Sequence, residues 1–219
     1  RNGPIPISET PEEHTVGWKR TQEKSAEPSG PSMAEVKASS QDTTLAGIDT
    51  FMRNLPHTKG FAPRSWQLIT DVEILKKAGV CDVEKMRTIQ LMHAVFNMNN
   101  KKLGRDVMAF AEQHAVLAPE QFGSRKNHQS VHAALNKRLT MDLLRQLRQA
   151  GALCSNDAIS CYDRIVHCIV AIALRRLRMA AAPVKSMLAT LQKAKHHVSA
   201  AFGVSAKTYG SRRNPPLQG

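Results

Sequence analysis

The segment Gly151–Val166, GALCSNDAISCYDRIV, concentrates the residue types that could do chemistry. Its short run Ala152 to Asp157 reads as a buried strand ending in a carboxylate. Tyr162 follows five residues later, and Asp163 comes directly after it. Taken alone, Asp157 is a strand-end carboxylate or a helix N-cap, Tyr162 packs in a core, and Asp163 caps the next helix. No other segment has the spacing of a known catalytic motif: HExxH, the Walker P-loop, the dinucleotide GxGxxG and the GxSxG elbow are missing. The nine histidines are scattered, and the adjacent pair His196–His197 suits a surface or partly buried pair better than a metal site. Cys81, Cys154, Cys161 and Cys168 lack the close-set pairs of a zinc site and do not amount to a disulfide framework. Reduced, partly buried thiols fit an intracellular compartment, nuclear or cytoplasmic, better than a secreted one.

The elements that must position these residues read as α+β. Residues 1–44 are rich in Pro, Glu, Ser, Thr and Gly, which predicts a flexible segment. A short amphipathic helix is expected from Thr43 to Asn54, with Leu45, Ile48, Phe51, Met52 and Leu55 on one side and Pro56 as its stop. Trp66 to Leu75 and Lys85 to Met92 read as an antiparallel strand pair with a turn containing Gly79 and Asp82. Lys76 and Lys77 end the first strand, and Lys85 and Arg87 open the second. Helices are expected over Ala94–His114 and Gln129–Ala150, separated by the loop LAPEQFG. In the second of them Val131, Leu135, Leu139, Leu143 and Leu147 recur every fourth residue, and Gly151 is the expected C-cap. Two more helices are expected, one from Tyr162 or Asp163 and one opened by Pro183, and the end from Tyr209 reads as irregular.

The chain of 219 residues carries 31 Lys and Arg against 18 Asp and Glu, a net charge of +13. Residues 1–49 hold eight acids and five bases, whereas residues 164–219 hold ten bases and no acid. An acid-free stretch of that length suggests a polyanionic partner; a solvated basic surface is the plain alternative. No run approaches the roughly 18 apolar residues of a membrane span, and no N-terminal segment looks like a signal peptide.

Taken in order, these segments resemble the fingers and first palm portion of reverse transcriptases, the RNA-directed DNA polymerases of non-LTR and group-II-intron-like retroelements. ITDVEILKK and KMRTIQLM resemble the basic finger strands, and NNKKLGRDV the helix that follows them. LAPEQFGSRKNHQSVHAAL is similar to the family's PEQFGFR loop and helix, SNDAISCYD to its first catalytic motif, and PPLQG to the opening of the next. The resemblance covers about residues 61–219 and implies a partial right-hand polymerase. Residues 45–150 would be fingers-like and 151–219 an incomplete palm with Asp157 on a strand. The implied reaction is nucleotidyl transfer from a dNTP to a primer 3′-hydroxyl on an RNA or DNA template, with two Mg²⁺ ions.

By that resemblance Asp157 is a catalytic metal ligand, and Tyr162 packs under the sugar and rejects a 2′-hydroxyl. Lys85 and Arg87 reach the triphosphate, Arg125 and Lys126 contact nucleic acid, and Gln218 lies against template and incoming nucleotide. Read without it, Lys85 and Arg87 are a solvated strand end and Arg125 a surface residue near a helix N-terminus. Phosphoryl transfer of this kind needs carboxylates that hold two divalent ions about 3.5–4 Å apart. The family completes that set with a later pair of adjacent acids, but no Asp-Asp occurs here and no acid follows Asp163. Ile159 and Ser160 also depart from the motif, which commonly has Lys or another polar residue there. The expectation is therefore a polymerase fragment that is inactive alone, with a non-catalytic basic nucleic-acid-binding protein as the alternative.

Overall fold

The computed structural model describes residues 5, 8–22, 24–79, 82, 85–156, 165–201 and 203–210. Asp157, Tyr162, Asp163 and Gln218 lie outside these residues. The chain separates into two units, Arg1–Val107 with Val166–Gly219, and Met108–Ile165. These boundaries differ from a division at residues 44 and 150.

The first unit is built on a small mixed sheet. Strands β1 (Leu68–Leu75) and β2 (Met86–Leu91) pair antiparallel, with Val72 opposite Ile89 and Leu75 opposite Met86. This is the hairpin that the alternation predicts. Strand β3 (Lys195–Ala200) lies parallel to the other side of β1, with Asp71 opposite Val198. The short strands β4 (Gly203–Val204) and β5 (Tyr209–Gly210) pair antiparallel with β3. Tyr209 is therefore part of the sheet, where the sequence predicts irregular chain. The run KHHVSA of β3 is too polar to announce a strand; it forms one because β1 offers it an open edge.

The segment predicted to be flexible is a correction: it holds two capped helices. In α1 (Pro11–Lys19) the Thr10 hydroxyl accepts from Glu13 N while Glu13 accepts from Thr10 N. In α2 (Met33–Ser39) Ser32 and Glu35 do the same. Trp18, Met33 and Val36 join Ala94 and Met98 in one apolar core. A second core forms from Trp66, Val95 and Phe96, with Met187 and Leu191 against it. Trp66 is delivered by a 3-10 turn, Arg64–Gln67, just before β1.

Helix α3 (Thr43–Lys59) runs through Pro56 rather than stopping at it. Its N-terminus is capped by Asp42, which accepts from Thr44 N and Leu45 N at 2.9 Å each. Its C-terminus is closed by Gly60 at φ 72°, whose N–H donates to Pro56 O. The buried face is the reverse of the expected one. Ala46, Thr50, Arg53, Pro56 and His57 are buried, while Leu45, Ile48, Phe51 and Met52 are exposed. The inward face packs on α1 and on α7 (Ala181–Gln192), and its small residues Ala46 and Thr50 allow that approach. Helix α4 (Ala94–Gln113) begins in this unit, and α6 (His167–Arg176) packs against α7.

The second unit holds the end of α4, a loop, and α5 (Ser130–Gln146). The fourfold stripe of α5 is not buried: Val131, Leu135, Leu139, Leu143 and Leu147 are each more than half exposed. The helix also ends before Gly151, with Arg148 in the left-handed region at φ 50°. Residues 151–156 form no strand and are exposed, so the buried strand predicted to lead to Asp157 is corrected over its described part.

Candidate functional site

The sheet places the first group of expected site residues. Lys85 directly precedes β2, and Arg87, its second residue, is opposite Ile74 on β1. Residues 74–79 are all exposed, which puts Lys76 and Lys77 in solvent beside them. Four cations thus mark the turn end of the hairpin. Lys85 Nζ lies 3.0 Å from Asp82 Oδ2, an exposed pair of little energetic weight. Across the strands Thr88 donates to Glu73 at 2.9 Å. Arg87 is exposed.

The second group lies in the second unit. Arg125 makes a two-pronged bridge to Glu112, with Nε and Nη2 each 2.7 Å from a carboxylate oxygen. Its Nη1 also donates to Ala118 O and Gln121 O. Arg125 therefore ties the PEQFG loop to the end of α4, a holding role closer to the surface-residue reading than to a free phosphate contact. Its hydrogen bonds hold the Glu112 carboxyl below the usual carboxylate range, and Glu112 in turn raises the guanidinium. Ser124 and Asn127 both take positive φ, which makes the loop turn tightly around Arg125. Phe122 and His128 pack at 5.8 Å between ring centres. Lys126 is left exposed at the turn, with its backbone carbonyl 3.0 Å from His128 Nδ1.

A third group was not anticipated from sequence. Asp71 of β1 is buried, and its Oδ2 meets His196 Nδ1 of β3 at 3.0 Å and the Tyr209 hydroxyl of β5. The His196 and Tyr209 rings stack 5.2 Å apart. Burial first, then hydrogen bonding to Asp71, pushes the Tyr209 phenol up to about 12. The second Asp71 oxygen is buried with no hydrogen-bond partner among the described residues. The available signal was a charged residue in the middle of the apolar run LITDVEIL. His197 faces the other side of its strand and meets Ser205 O at 3.1 Å, because neighbours on a strand point apart. The two histidines therefore do not converge on one ion.

A buried polar cluster joins the N-terminal segment to α3 and α4. Arg53 Nη1 lies 2.7 Å from Glu9 Oε2 and 2.5 Å from His14 Nδ1, while its Nε donates to Asn99 Oδ1 at 2.8 Å. The Glu9 contact is close but out of line for a hydrogen bond, so it acts as an ion pair. His14 Nε2 also approaches Asp49 at 3.1 Å. Burial raises Glu9, but His14 and Arg53 outweigh it and leave the carboxyl below its ordinary value. Burial lowers His14, but Asp49 and Glu9 outweigh it and leave the imidazole above its ordinary value. This cluster ties Glu9 and α1 to α3 and α4.

Among the described residues no three His, Cys, Asp or Glu side chains converge as a metal site. Two free thiols are described, Cys154 exposed and Cys168 half-buried. No helix among the described residues is long and apolar enough to cross a membrane. No protein-family model and no curated protein matches this chain.

Proposed function

We propose that the chain is the fingers and first palm portion of an RNA-directed DNA polymerase that grips a template-primer and a dNTP. The observation that carries this reading is the β1–β2 hairpin, whose exposed end bears Lys76, Lys77, Lys85 and Arg87. Two cations, one just before β2 and one on its second residue, can reach successive phosphates of a triphosphate, and a solvated hairpin end is where such a ligand can enter. The acid-free basic stretch from residue 164 supports the same polyanionic partner.

The chain's own carboxylates do not fit a two-metal site. The resemblance carries over Asp157 alone, and neither an adjacent acid pair nor any acid after Asp163 completes it. This chain by itself therefore binds and orients, and chemistry requires carboxylates from elsewhere. The alternative of a non-catalytic basic nucleic-acid-binding protein rests on the charge distribution alone. Asp157→Asn separates the two: it removes any Mg²⁺-dependent nucleotide effect in a polymerase and leaves binding untouched in the alternative.

The test is template-primer binding over a salt series, together with primer extension. Five engaged cations give a slope of log K against log salt of about −3.5 on a single strand. No binding at low salt overturns the nucleic-acid reading. Robust extension by this chain alone, abolished by Asp157→Asn, overturns its incompleteness.

A further inference from the structure

A half-open cavity of about 360 Å³ lies where the end of α1, the chain that follows it, the start of α2 and the middle of α4 meet. Its rim carries three cations, Arg20, Lys24 and Lys101. Its apolar lining comes from Met33 and Met98, which belong to the core beneath. Among the described residues no carboxylate lines it. None of the three cations forms an ion pair with a described carboxylate, in contrast to Lys102 next door, which pairs with Asp106 at 2.7 Å.

Three cations with no ion-pair partner among the described residues repel one another around one concavity, and an anion seated among them reverses the sign of that energy. The end of α1 would ordinarily oppose an anion through its free carbonyls. Here they are covered: Arg20 N and Thr21 N donate to Val16 O and Trp18 O, and the Thr21 hydroxyl donates to Gly17 O at 2.8 Å. Gln22 and Ser25 add an exposed amide and hydroxyl to the same rim. The volume lies within the range of about 300–1,000 Å³ typical of small-ligand sites. Polarizable thioethers suit the face or edge of a flat ring.

We propose that this cavity binds a phosphate-bearing ligand with a planar body, of the mononucleotide class. The phosphate sits among Arg20, Lys24 and Lys101, and the ring lies on Met33 and Met98. The site is formed by described residues between the end of α1 and the start of α2 and by the middle of α4, apart from the hairpin on which the polymerase reading rests, and it requires neither metal nor template.

The experiment is calorimetric titration of the 219-residue chain with AMP, adenosine and inorganic phosphate in metal-free buffer of fixed ionic strength. AMP is expected to bind one to one, with each of the other two at least about tenfold weaker, because each lacks half of the recognised chemistry. Lys24→Ala and Lys101→Ala, both exposed, are each expected to weaken AMP by about tenfold or more. Lys137→Ala on α5 is expected to leave it unchanged. In a sample labelled at methionine methyls, AMP is expected to shift the signals assigned through Met33→Leu and Met98→Leu. Absence of saturable AMP binding, equal binding of AMP and phosphate, indifference to Lys101→Ala, or shifts confined to other methionines would each overturn the proposal. Failure of primer extension leaves all of these readouts standing.

Discussion

Acid is expected to weaken the first unit through His57. This residue follows Pro56 on α3, is 4% exposed, and meets Trp66 edge-on at 6.3 Å between ring centres. Its Nε2 is buried with no hydrogen-bond partner among the described residues. Burial, and then the charges of Arg53 and Lys102, push its pKa from 6.5 down to about 4. A folded pKa below the unfolded one means that the unfolded chain takes up the proton first. The stabilising contribution is thus complete above pH 6.5 and is lost as pH falls towards 4. Integrated to about pH 4.5, protonation of this one group removes about 2–3 kcal/mol of stability. The perturbation is His57→Leu, which keeps a similar volume against Trp66 and changes stability at neutral pH by under about 1.5 kcal/mol. Urea unfolding of both proteins at neutral pH and at about pH 4.5 supplies the assay. The parent is expected to lose about 2–3 kcal/mol more than the variant on acidification. Equal losses would refute the assignment, because every other titrating group, Glu9 and His14 included, is common to both proteins.

His14 acts in the opposite direction. Its folded pKa is raised by Asp49 and Glu9, so its contribution is present below 6.5 and is lost as pH rises through the folded value; Asp49→Asn is expected to flatten that alkaline loss in unfolding curves. Arg53→Met leaves Glu9 buried without its cation and is expected to cost about 3–5 kcal/mol, read as a lower urea midpoint. Asp71→Asn removes the anion beside Tyr209, so the phenol is expected to titrate below about 12 in an alkaline absorbance titration of a chain with two tyrosines. Gly60→Ala places a methyl 3.2 Å from the Ala182 Cα at a residue with φ 72° and is expected to cost about 1–2 kcal/mol in thermal unfolding.

The β1–β2 hairpin was legible because alternation is a local property and both strands carry it. The helices at the N-terminus were legible too, in the capping boxes Thr10–Glu13 and Ser32–Glu35, but the Pro- and Ser-rich composition outweighed them. The face of α3 was misread for a physical reason. Its Leu, Ile, Phe and Met residues form the apolar side, yet the helix turns Ala46 and Thr50 inward, where α1 and α7 approach closely and Arg53 meets Glu9. The candidate site divides in the same way. Lys85 and Arg87 stand on the expected hairpin, whereas Arg125, free by sequence, is committed to Glu112 thirteen residues away.

Charge and local pattern need only the order of residues, so the basic excess after Asp163, the paired strands and most helix positions follow from the chain as written. Pairing partners need long-range contact. Asp71 and His196 are separated by 125 positions, and no periodicity within either segment points to the other. β3 exists because β1 presents an open edge, and the cationic cavity exists because α1, α2 and α4 converge. Burial of a polar face on α3 is likewise a property of what packs against it. Hydrophobic patterning sets what each element can bury, and the neighbours that the fold brings up set what it does bury.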